Sequence, residues 1–269
     1  MTLKQQLQQC SQAGTALLAV NFYNFETLKG LLMAAKAANC SLILQLSEGT
    51  LQYLGINTAV HMARVALRQY GVTGWVHLDH GSNIHTIREC LDAGFDSVMI
   101  DASEKSFEEN VRTTAAVVGI AAGYDVNVEA ELGYIAKLGQ EQTAAFTSPE
   151  QARHFVDETG VNALAVAIGT AHGFYKSPPH LQIALLKQIH AATPAALVLH
   201  GCSGVPDDQL KEAVKNGITK VNLATETKNI FMKTLQQQLL NSQDIDLRRV
   251  FPKAIDAVTE LISRKLSVI

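Results

Sequence analysis

The chain has 269 residues, of which 47% are hydrophobic and 17% are charged, and its formal net charge is -3. This balance excludes an intrinsically disordered chain, and the weak negative charge provides no general electrostatic footprint for nucleic acid or an anionic membrane. The length suits one large domain or a tight pair, and one α/β barrel needs about 250 residues. Any anion that the protein binds must therefore be bound locally.

Glutamines interrupt the N-terminal segment where a secretory signal would need a continuous apolar region. No later stretch approaches the ~18 apolar residues of a membrane span. We therefore expect a cytoplasmic protein that does not contact a membrane. The four cysteines are scattered singly, which predicts reduced thiols rather than a disulfide scaffold. They are Cys10, Cys40, Cys90 and Cys202, and only Cys202 is close to a possible site.

Short runs rich in Val, Ile, Leu and Ala alternate with helical patterns after a first helix over 2–13. The predicted strands are 16–21, 42–46, 75–78, 97–100, 125–131, 163–168, 196–200 and 220–223. The helices that follow them are 25–38, 57–70, 84–93, 107–122, 149–159, 181–191, 207–216 and 225–240. Eight such pairs predict an α/β fold, a (β/α)8 TIM barrel with an N-terminal helix and a C-terminal helical extension, as a single domain over 1–269. An open doubly wound sheet would favour a Gly-x-Gly-x-x-Gly turn after the first strand, and residues 21–24 have no such glycines.

Three histidines follow three different predicted strands, at the end where a barrel carries its chemistry. His80 follows strand three, His172 follows strand six, and His200 ends strand seven. Three protein ligands with one open position are the usual set of a catalytic zinc site. A single histidine at such a place is more often structural, but three on one rim predict a metal centre. His77 lies deeper in strand three, so we expect it in the core or behind a ligand.

Four carboxylates also lie in or near the predicted barrel mouth, namely Asp79, Asp101, Glu129 and Glu131. Bringing them together costs several kcal/mol unless cations or protons offset the charge. Because the strands carry almost no basic residues, we expect a divalent metal rather than salt bridges to offset it. Asp79 lies beside a candidate ligand and is the candidate general acid/base. Glu129 lies deeper and could simply orient a ligand.

Two loops predict an anion site. The turn Gly201-Cys202-Ser203-Gly204 follows strand seven, and residues 222–225 follow strand eight. In barrels, these two loops bind phosphate through backbone N–H groups and helix N-termini, without any Lys or Arg. Ordinary helix caps and turns are the alternative for either loop alone. Together the loops predict a phosphorylated substrate.

Six strings, HLDHG, SVMIDAS, VEAELG, AVAIGTAHGFY, LVLHGCSG and KVNLATE, occur in this order along the chain. They resemble the zinc-dependent class II ketose-bisphosphate aldolases, especially the branch that contains tagatose-bisphosphate and related fructose-bisphosphate aldolases. The resemblance covers nearly the whole chain, from VNFYNFETL to KVNLATETKN. It implies a homodimer or a homotetramer, because oligomers are usual in the family.

Matched residue by residue, the resemblance implies that Asp79 is the catalytic acid/base and that His80, His172 and His200 are the zinc ligands. Asp101 and Glu131 match carboxylates where the metal can sit in an alternative position. The dihydroxyacetone phosphate half of the substrate would contact Gly173, Gly201, Cys202, Ser203, Asn222, Leu223, Ala224 and Thr225. The resemblance also implies a monovalent cation, Na+ or K+, near the turns at Gly173 and Gly201.

The implied reaction is reversible aldol cleavage of tagatose 1,6-bisphosphate or fructose 1,6-bisphosphate to dihydroxyacetone phosphate and glyceraldehyde 3-phosphate. Zinc would polarise the ketone oxygen at carbon 2, and Asp79 would take the proton from the hydroxyl at carbon 4. No Schiff-base lysine is needed, and the one candidate, Lys220, is predicted at the start of strand eight, on the wrong face of the barrel. The alternative substrate is another ketose 1-phosphate or a modified sugar phosphate.

Other classes of protein fit the sequence less well. A metal-dependent hydrolase barrel would normally carry His-x-His at the end of strand one, which residues 21–23 do not supply. A non-catalytic binding barrel of the same fold would be expected to lose metal ligands, and this chain keeps all three histidines.

The loop after strand five departs from the family pattern. The family follows its Glu-Leu-Gly with Gly-Gly and two acidic residues, one of which is thought to protonate the enediolate. Between residues 133 and 147 this chain has one acidic residue, Glu141, which is either that catalytic acid or a solvated loop carboxylate. Arg248, Arg249 and Lys253 lie in a tail that we interpret as a solvated helix, so no residue is assigned to a second phosphate.

Overall fold

The computed structural model describes residues 1–133, 135, 146–173, 175 and 179–269. Eight parallel strands form a closed barrel in chain order, and β8 pairs with β1. They are β1 (Leu17–Asn21), β2 (Leu42–Ser47), β3 (Gly74–Gly81), β4 (Ser97–Ile100), β5 (Asn127–Leu132), β6 (Ala163–Val166), β7 (Ala196–Leu199) and β8 (Ile218–Leu223). The predicted (β/α)8 barrel is confirmed.

The described helices surround the barrel, with additional helices at both ends of the chain. They are α1 (Leu3–Ala13), α2 (Phe25–Ala38), α3 (Glu48–Leu54), α4 (Ile56–Tyr70), α5 (Ile84–Asp92), α6 (Phe107–Ala121), α7 (Pro149–Thr159), α8 (Ile183–Ala192), α9 (Asp207–Lys215), α10 (Thr225–Leu240), α11 (Leu247–Val250) and α12 (Pro252–Leu266). The sequence analysis did not predict α3, and it predicted the C-terminal extension as helical without separating its helices. The remaining helices were predicted individually. Within the described ranges, no helix is long and apolar enough to cross a membrane.

The amino end of the barrel is closed by α1. Leu3 and Leu7 of this helix pack against small and branched side chains inside the barrel, among them Ala19, Ala163 and Ala165. The Trp75 indole N–H donates to the Met1 carbonyl at 3.3 Å and ties the same end to the chain start. Because this end is filled with apolar side chains, a polar site has room only at the carboxyl ends of the strands.

The C-terminal extension is packed, which corrects our interpretation of the tail as a solvated helix. In α12, the side chains of Ala254, Ile255, Val258 and Ile262 are buried. A Cβ added at Gly30 of α2 would lie 2.8 Å from Val258 Cγ1, so only glycine allows the two helices to approach this closely. Arg248, Arg249 and Lys253 do lie on the surface, and the two arginines pair with Asp246 and Asp244.

Candidate active site

A cavity of about 610 Å³ lies at the carboxyl ends of the strands, a size typical of small-molecule sites. Its lining contains most of the predicted site residues, namely Asp79, His80, Asp101, Glu131, His172, Gly173, His200, Gly201, Cys202, Ser203, Asn222, Ala224 and Thr225. Leu223 is not part of this lining, because its side chain packs in the hydrophobic core. Glu141 lies outside the described residues.

A bulge in β3 brings Asp79 and His80 to the same cavity. Leu78 pairs with Val98 and Gly81 pairs with Ile100, so two residues of β3 lie opposite the single Met99 of β4. His80 adopts a left-handed φ of 52°, which is uncommon for a residue with a side chain. In a regular strand these neighbours would point to opposite faces, and the bulge removes that alternation.

The three predicted ligands converge on one point. His80, His172 and His200 each offer a ring nitrogen, and these atoms all lie within 4.8 Å of one another. His80 Nε2 and His200 Nδ1 are 3.1 Å apart. Two lone pairs cannot face each other at this distance, so either a hydrogen atom or a metal ion must lie between the two nitrogens. Two nitrogens bound to one tetrahedral zinc at about 2.0–2.1 Å would be roughly 3.3 Å apart, so the residues fit such an ion.

Carboxylates behind two of the histidines orient their rings. Asp101 Oδ2 lies 2.7 Å from His80 Nδ1, and Glu129 Oε1 lies 2.9 Å from His200 Nε2. A carboxylate accepts hydrogen bonds, so each contact places the N–H on the outer nitrogen and directs the inner one towards the other rings. This arrangement is typical of metal-binding histidines.

Charge and burial set the pKa values of the histidines. Burial alone would lower the pKa of His80, but the carboxylates of Asp79 and Asp101 raise it to about 9. Burial and the neighbouring His80 lower the pKa of His172 to about 4 and hold that of His200 well below its usual range. His172 and His200 are therefore neutral near pH 7, which is the form that binds a metal.

Glu131 and Asp101 form a second group with His80 whose ligand atoms also lie within 4.8 Å of one another. Burial and the charge of Asp101 raise the pKa of Glu131 to about 8. Glu131 Oε2 is buried 3.9 Å from His200 Nδ1 and has no hydrogen-bond partner among the described residues. A buried carboxylate oxygen without a partner is costly, and a cation would satisfy it.

Asp79 is held by two asparagine side chains. Asn21 Nδ2 donates to Asp79 Oδ2 at 2.9 Å, and Asn222 Nδ2 lies 3.5 Å from Oδ1. Burial acts to raise the pKa of Asp79, but His80, His200, Lys220 and the bond from Asn21 together hold it below its usual value. Asp79 is therefore a carboxylate near pH 7, as a general base must be.

We expect the substitution Asn21→Ala to lower kcat/KM by about 10-fold or more, because a hydrogen bond to a charged group contributes roughly 1.5–3 kcal/mol. Sequence analysis did not assign Asn21, although it closes β1 and the strand-end rule could have found it. Steady-state kinetics would measure the change. Asn216→Ala, at the surface end of α9, is the matched control. A rate unchanged by Asn21→Ala would contradict the role.

One expectation about the carboxylates is wrong. We expected a metal rather than salt bridges to offset their charge, but Lys220 Nζ lies 2.8 Å from Glu129 Oε2, and both side chains are fully buried. Lys220 also lies within β8 rather than at its start, and its side chain points into the barrel. Lys220 is not among the described residues that line the cavity.

The two predicted phosphate loops meet at Ser203. Its Oγ accepts the backbone N–H of Glu226 at 3.1 Å, which joins the turn after β7 to the first turn of α10. The N-cap residue of α10 is Ala224, which offers no side-chain oxygen to the helix N-terminus. Burial raises the pKa of Cys202 to about 12, so its thiol is protonated near pH 7. The cavity is thus bordered by a helix N-terminus that favours an anion.

Tyr175 joins the loop that carries His172 to the turn after β7. Its hydroxyl accepts the Ala171 N–H at 2.6 Å and donates to the Gly201 carbonyl at 2.8 Å. Gly201 has a left-handed φ of 67°, and a Cβ added there would lie 2.5 Å from the Ala171 carbonyl oxygen. Glycine at position 201 is therefore required for the two loops to approach each other.

We expect Gly201→Ala to lower the free energy of unfolding by about 1–3 kcal/mol and to raise KM for a phosphorylated substrate more than it changes kcat. The added methyl group would push apart the two loops that border the cavity. Gly14→Ala is the matched control, since Gly14 has a similar φ of 64° but no atom within 4 Å of the added Cβ. Denaturant unfolding and kinetics measure both effects, and equal KM values in the two variants would contradict the expectation.

Two lysines that sequence analysis did not assign, Lys105 and Lys228, also line the cavity. Lys228 Nζ lies 5.6 Å from the centre of the Tyr23 ring, which is a cation–π distance. The expectation of an anion site without Lys or Arg is therefore incomplete. Lys228 lies one turn into α10, just beyond the loop that the sequence analysis considered.

Known proteins resemble this chain over its whole length. The family model described as "Fructose-bisphosphate aldolase class-II" matches residues 1–269. The D-tagatose-1,6-bisphosphate aldolase subunit GatY of Klebsiella oxytoca is 37% identical over 98% of this chain and 94% of that protein. A fructose-bisphosphate aldolase of Staphylococcus epidermidis is 36% identical over 99% and 96%. The crystal structure of the YdjI aldolase from Escherichia coli K12 superposes with a TM-score of 0.89 at 32% identity, covering 99% and 96%.

The family match makes this chain an aldolase, and the three converging histidines give its cavity a site suited to a metal. The chain belongs to the class II fructose-bisphosphate aldolase family. The resemblance inferred from the six sequence strings is confirmed.

Proposed function

We propose that this aldolase catalyses the reversible, zinc-dependent cleavage of tagatose 1,6-bisphosphate or fructose 1,6-bisphosphate to dihydroxyacetone phosphate and glyceraldehyde 3-phosphate. The observation that carries the proposal is the set of three histidine nitrogens within 4.8 Å of one another, with Asp79 Oδ1 3.9 Å from His80 Nε2. The relatives named for tagatose and fructose bisphosphates support the substrate class.

In this proposal His80, His172 and His200 hold the zinc, and Asp101 and Glu131 provide an alternative position together with His80. Glu131 Oε2, which has no hydrogen-bond partner among the described residues, supports this second position. When bound, the zinc supplies a Lewis acid that stabilises negative charge on the oxygen at carbon 2 of the substrate. The N–H bonds to Asp101 and Glu129 fix the two rings before an ion binds.

Asp79 removes the proton from the hydroxyl at carbon 4 during cleavage and returns it during condensation. Its low pKa and its bond from Asn21 keep it ionised and correctly directed. Glu141, which lies outside the described residues, keeps the two roles that the sequence left open, as the acid that protonates the enediolate or as a solvated carboxylate.

The three-carbon phosphate half binds to the two loops, which fixes it for reaction. We assign this role to Gly173, Gly201, Cys202, Ser203, Asn222, Ala224 and Thr225, with Leu223 contributing only its backbone. Lys105 and Lys228 are available to a second phosphate in the same cavity. The proposal includes a Na+ or K+ ion near Gly173 and Gly201, a single domain, and a homodimer or homotetramer.

The test is an assay of zinc-loaded protein against both bisphosphates and a panel of ketose 1-phosphates, following release of dihydroxyacetone phosphate. We expect a higher kcat/KM for a bisphosphate than for any 1-phosphate. Cleavage of 1-phosphates alone would contradict the bisphosphate assignment and favour the alternative substrate class. No release from any sugar phosphate, with zinc bound, would contradict the proposed reaction.

A further inference from the structure

A buried polar network lies inside the barrel beneath the three histidines, and of its members the proposed function uses only Glu129. Lys220 and Glu129 have no exposed surface, and Lys220 Nζ contacts Glu129 Oε2 at 2.8 Å. The same ammonium lies 3.4 Å from His77 Nε2, and His77 Nδ1 lies 2.7 Å from Ser97 Oγ. Asn127 Nδ2 donates to that hydroxyl at 3.0 Å. A buried ion pair of this kind is weak evidence for stability alone, so its position calls for another explanation.

The two oxygens of Glu129 have different partners. Oε2 accepts from Lys220, while Oε1 lies 2.9 Å from His200 Nε2. The side-chain amide nitrogen of Asn222 also lies 3.0 Å from His200 Nε2 and could donate to that atom only if it carried no hydrogen. The Glu129 carboxylate can only accept, so its contact places the hydrogen of His200 on Nε2. The lone pair of His200 is then on Nδ1, which lies 3.1 Å from His80 Nε2 at the centre of the candidate metal group.

The Lys220 ammonium is needed to keep the Glu129 carboxylate where it accepts from His200. Without Lys220, the carboxylate would be a fully buried anion. Its other basic neighbours among the described residues are the rings of His77, with Nε2 3.7 Å from Oε2, and His200, with Nε2 2.9 Å from Oε1. A neutral imidazole can donate one hydrogen bond but supplies no compensating charge. An unpaired buried charge is strongly unfavourable, so the carboxylate would turn away, take up a proton or admit water. Each of these changes removes the acceptor that sets the His200 ring.

We propose that Lys220 is a positioning residue of the metal site, which acts through Glu129 to hold His200 with Nδ1 directed at the ion. Lys220 lies two residues before Asn222 in β8, so both point into the barrel, with Lys220 in the deeper layer. Among the described residues, the polar partners of its ammonium are Glu129 and His77, and it does not line the cavity. The inference rests on the metal site of the proposed function and concerns how that site is built.

The test compares the single variant Lys220→Met with the double variant Lys220→Met/Glu129→Gln. Zinc dissociation constants are measured by competition with a chelator, and the visible spectrum of the Co2+-substituted protein reports the ligand geometry. We expect the single variant to bind zinc about 10–100-fold more weakly, with an altered Co2+ spectrum, because partners behind a ligand have effects of this size. In the double variant the ion pair between positions 220 and 129 is removed with no unpaired charge left, and the side-chain carbonyl of the introduced glutamine can accept from His200. We therefore expect affinity and spectrum to return close to those of the unaltered protein.

Lys265→Met is the matched control for loss of a buried lysine. Lys265 of α12 is 2% exposed, pairs with Asp207 at 2.9 Å and lies 3.8 Å from Glu226, and neither partner belongs to the metal group. We expect this variant to lose stability but to keep the zinc affinity and the Co2+ spectrum. If Lys220→Met fails to fold, recovery of folding and zinc binding in the double variant supports the proposal.

Two results would overturn the proposal. One is an unchanged zinc affinity and Co2+ spectrum in folded Lys220→Met, and the other is a double variant that fails to fold or binds zinc no better than the single one. Zinc binding by the unaltered protein is measured first, which separates the two ideas. If that protein binds no zinc, the proposed function fails; if it does, the variants decide the role of Lys220.

Discussion

The substitution Asp79→Asn is expected to lower kcat by about 10²–10⁴-fold while the protein still binds zinc. The amide has nearly the shape of the carboxylate but cannot take a proton from the carbon 4 hydroxyl. Asp79 lies beside the metal group, with Oδ1 3.9 Å from His80 Nε2 and Oδ2 bonded to Asn21. Substrate binding should change little, because the predicted phosphate loops follow other strands.

The measurement pairs steady-state kinetics with the zinc content of the purified variant. Asp92→Asn is the matched control, since Asp92 is an exposed carboxylate of α5 that bonds only the Tyr124 hydroxyl among the described residues. We expect this control to keep full activity. An Asp79→Asn variant with zinc bound and a rate within a few-fold of the unaltered enzyme would exclude Asp79 as the acid/base.

The substitution His172→Ala is expected to weaken zinc binding by more than about 100-fold. Changing a residue that only hydrogen-bonds a ligand weakens metal binding by about 10–100-fold, and loss of the ligand itself should weaken it more. Activity should fall in parallel, because the two remaining histidines would no longer form a three-ligand site. The rings of His80 and His200 lie 5.0 and 5.7 Å from that of His172, centre to centre, so the vacated space is within the metal group itself.

Chelator competition measures this loss, and kinetics with excess zinc show how much activity can be restored. His85→Ala is the matched control, because the His85 side chain is 83% exposed on α5. It should bind zinc as tightly as the unaltered chain. Unchanged zinc affinity after His172→Ala would remove this histidine from the ligand set.

The barrel could be predicted because strands that are buried on both faces appear in the sequence as short continuous apolar runs. All residues of β6 and β7 are buried, and the sequence shows them as such runs. Helix α3 was missed because Gly55 divides the segment between β2 and β3 into two helices. The burial of α12 could not be predicted either, since it depends on the contact with Gly30 on a distant helix.

The candidate site could be located because its chemistry lies at the carboxyl ends of strands, so His80, His172 and His200 were recognised from strand ends alone. The geometry could not be predicted in the same way. Regular alternation would have separated Asp79 from His80, and only the pairing of β3 with β4 reveals the bulge that unites them. Tyr175 was missed because its two bonds are to backbone atoms, one in its own loop and one in the turn after β7.

The pairing of Glu129 with Lys220 shows a limit of a different kind. Both residues were considered, but one was interpreted as a deep carboxylate and the other as a lysine at the start of a strand. Lys220 and Asn222 share side-chain parity in β8, which was the available signal that Lys220 points into the barrel. Which residue it meets there depends on how strands β5 and β8 face each other across the interior, and no local pattern specifies that.

The most direct test of the central claim is a zinc titration of chelator-treated protein, following cleavage of tagatose 1,6-bisphosphate and fructose 1,6-bisphosphate. The account predicts no cleavage before zinc is added, and a rate for at least one of them that rises linearly and levels off at one zinc per chain. Cleavage that proceeds at full rate in the chelated protein, or a zinc-saturated protein that cleaves neither sugar, would contradict it.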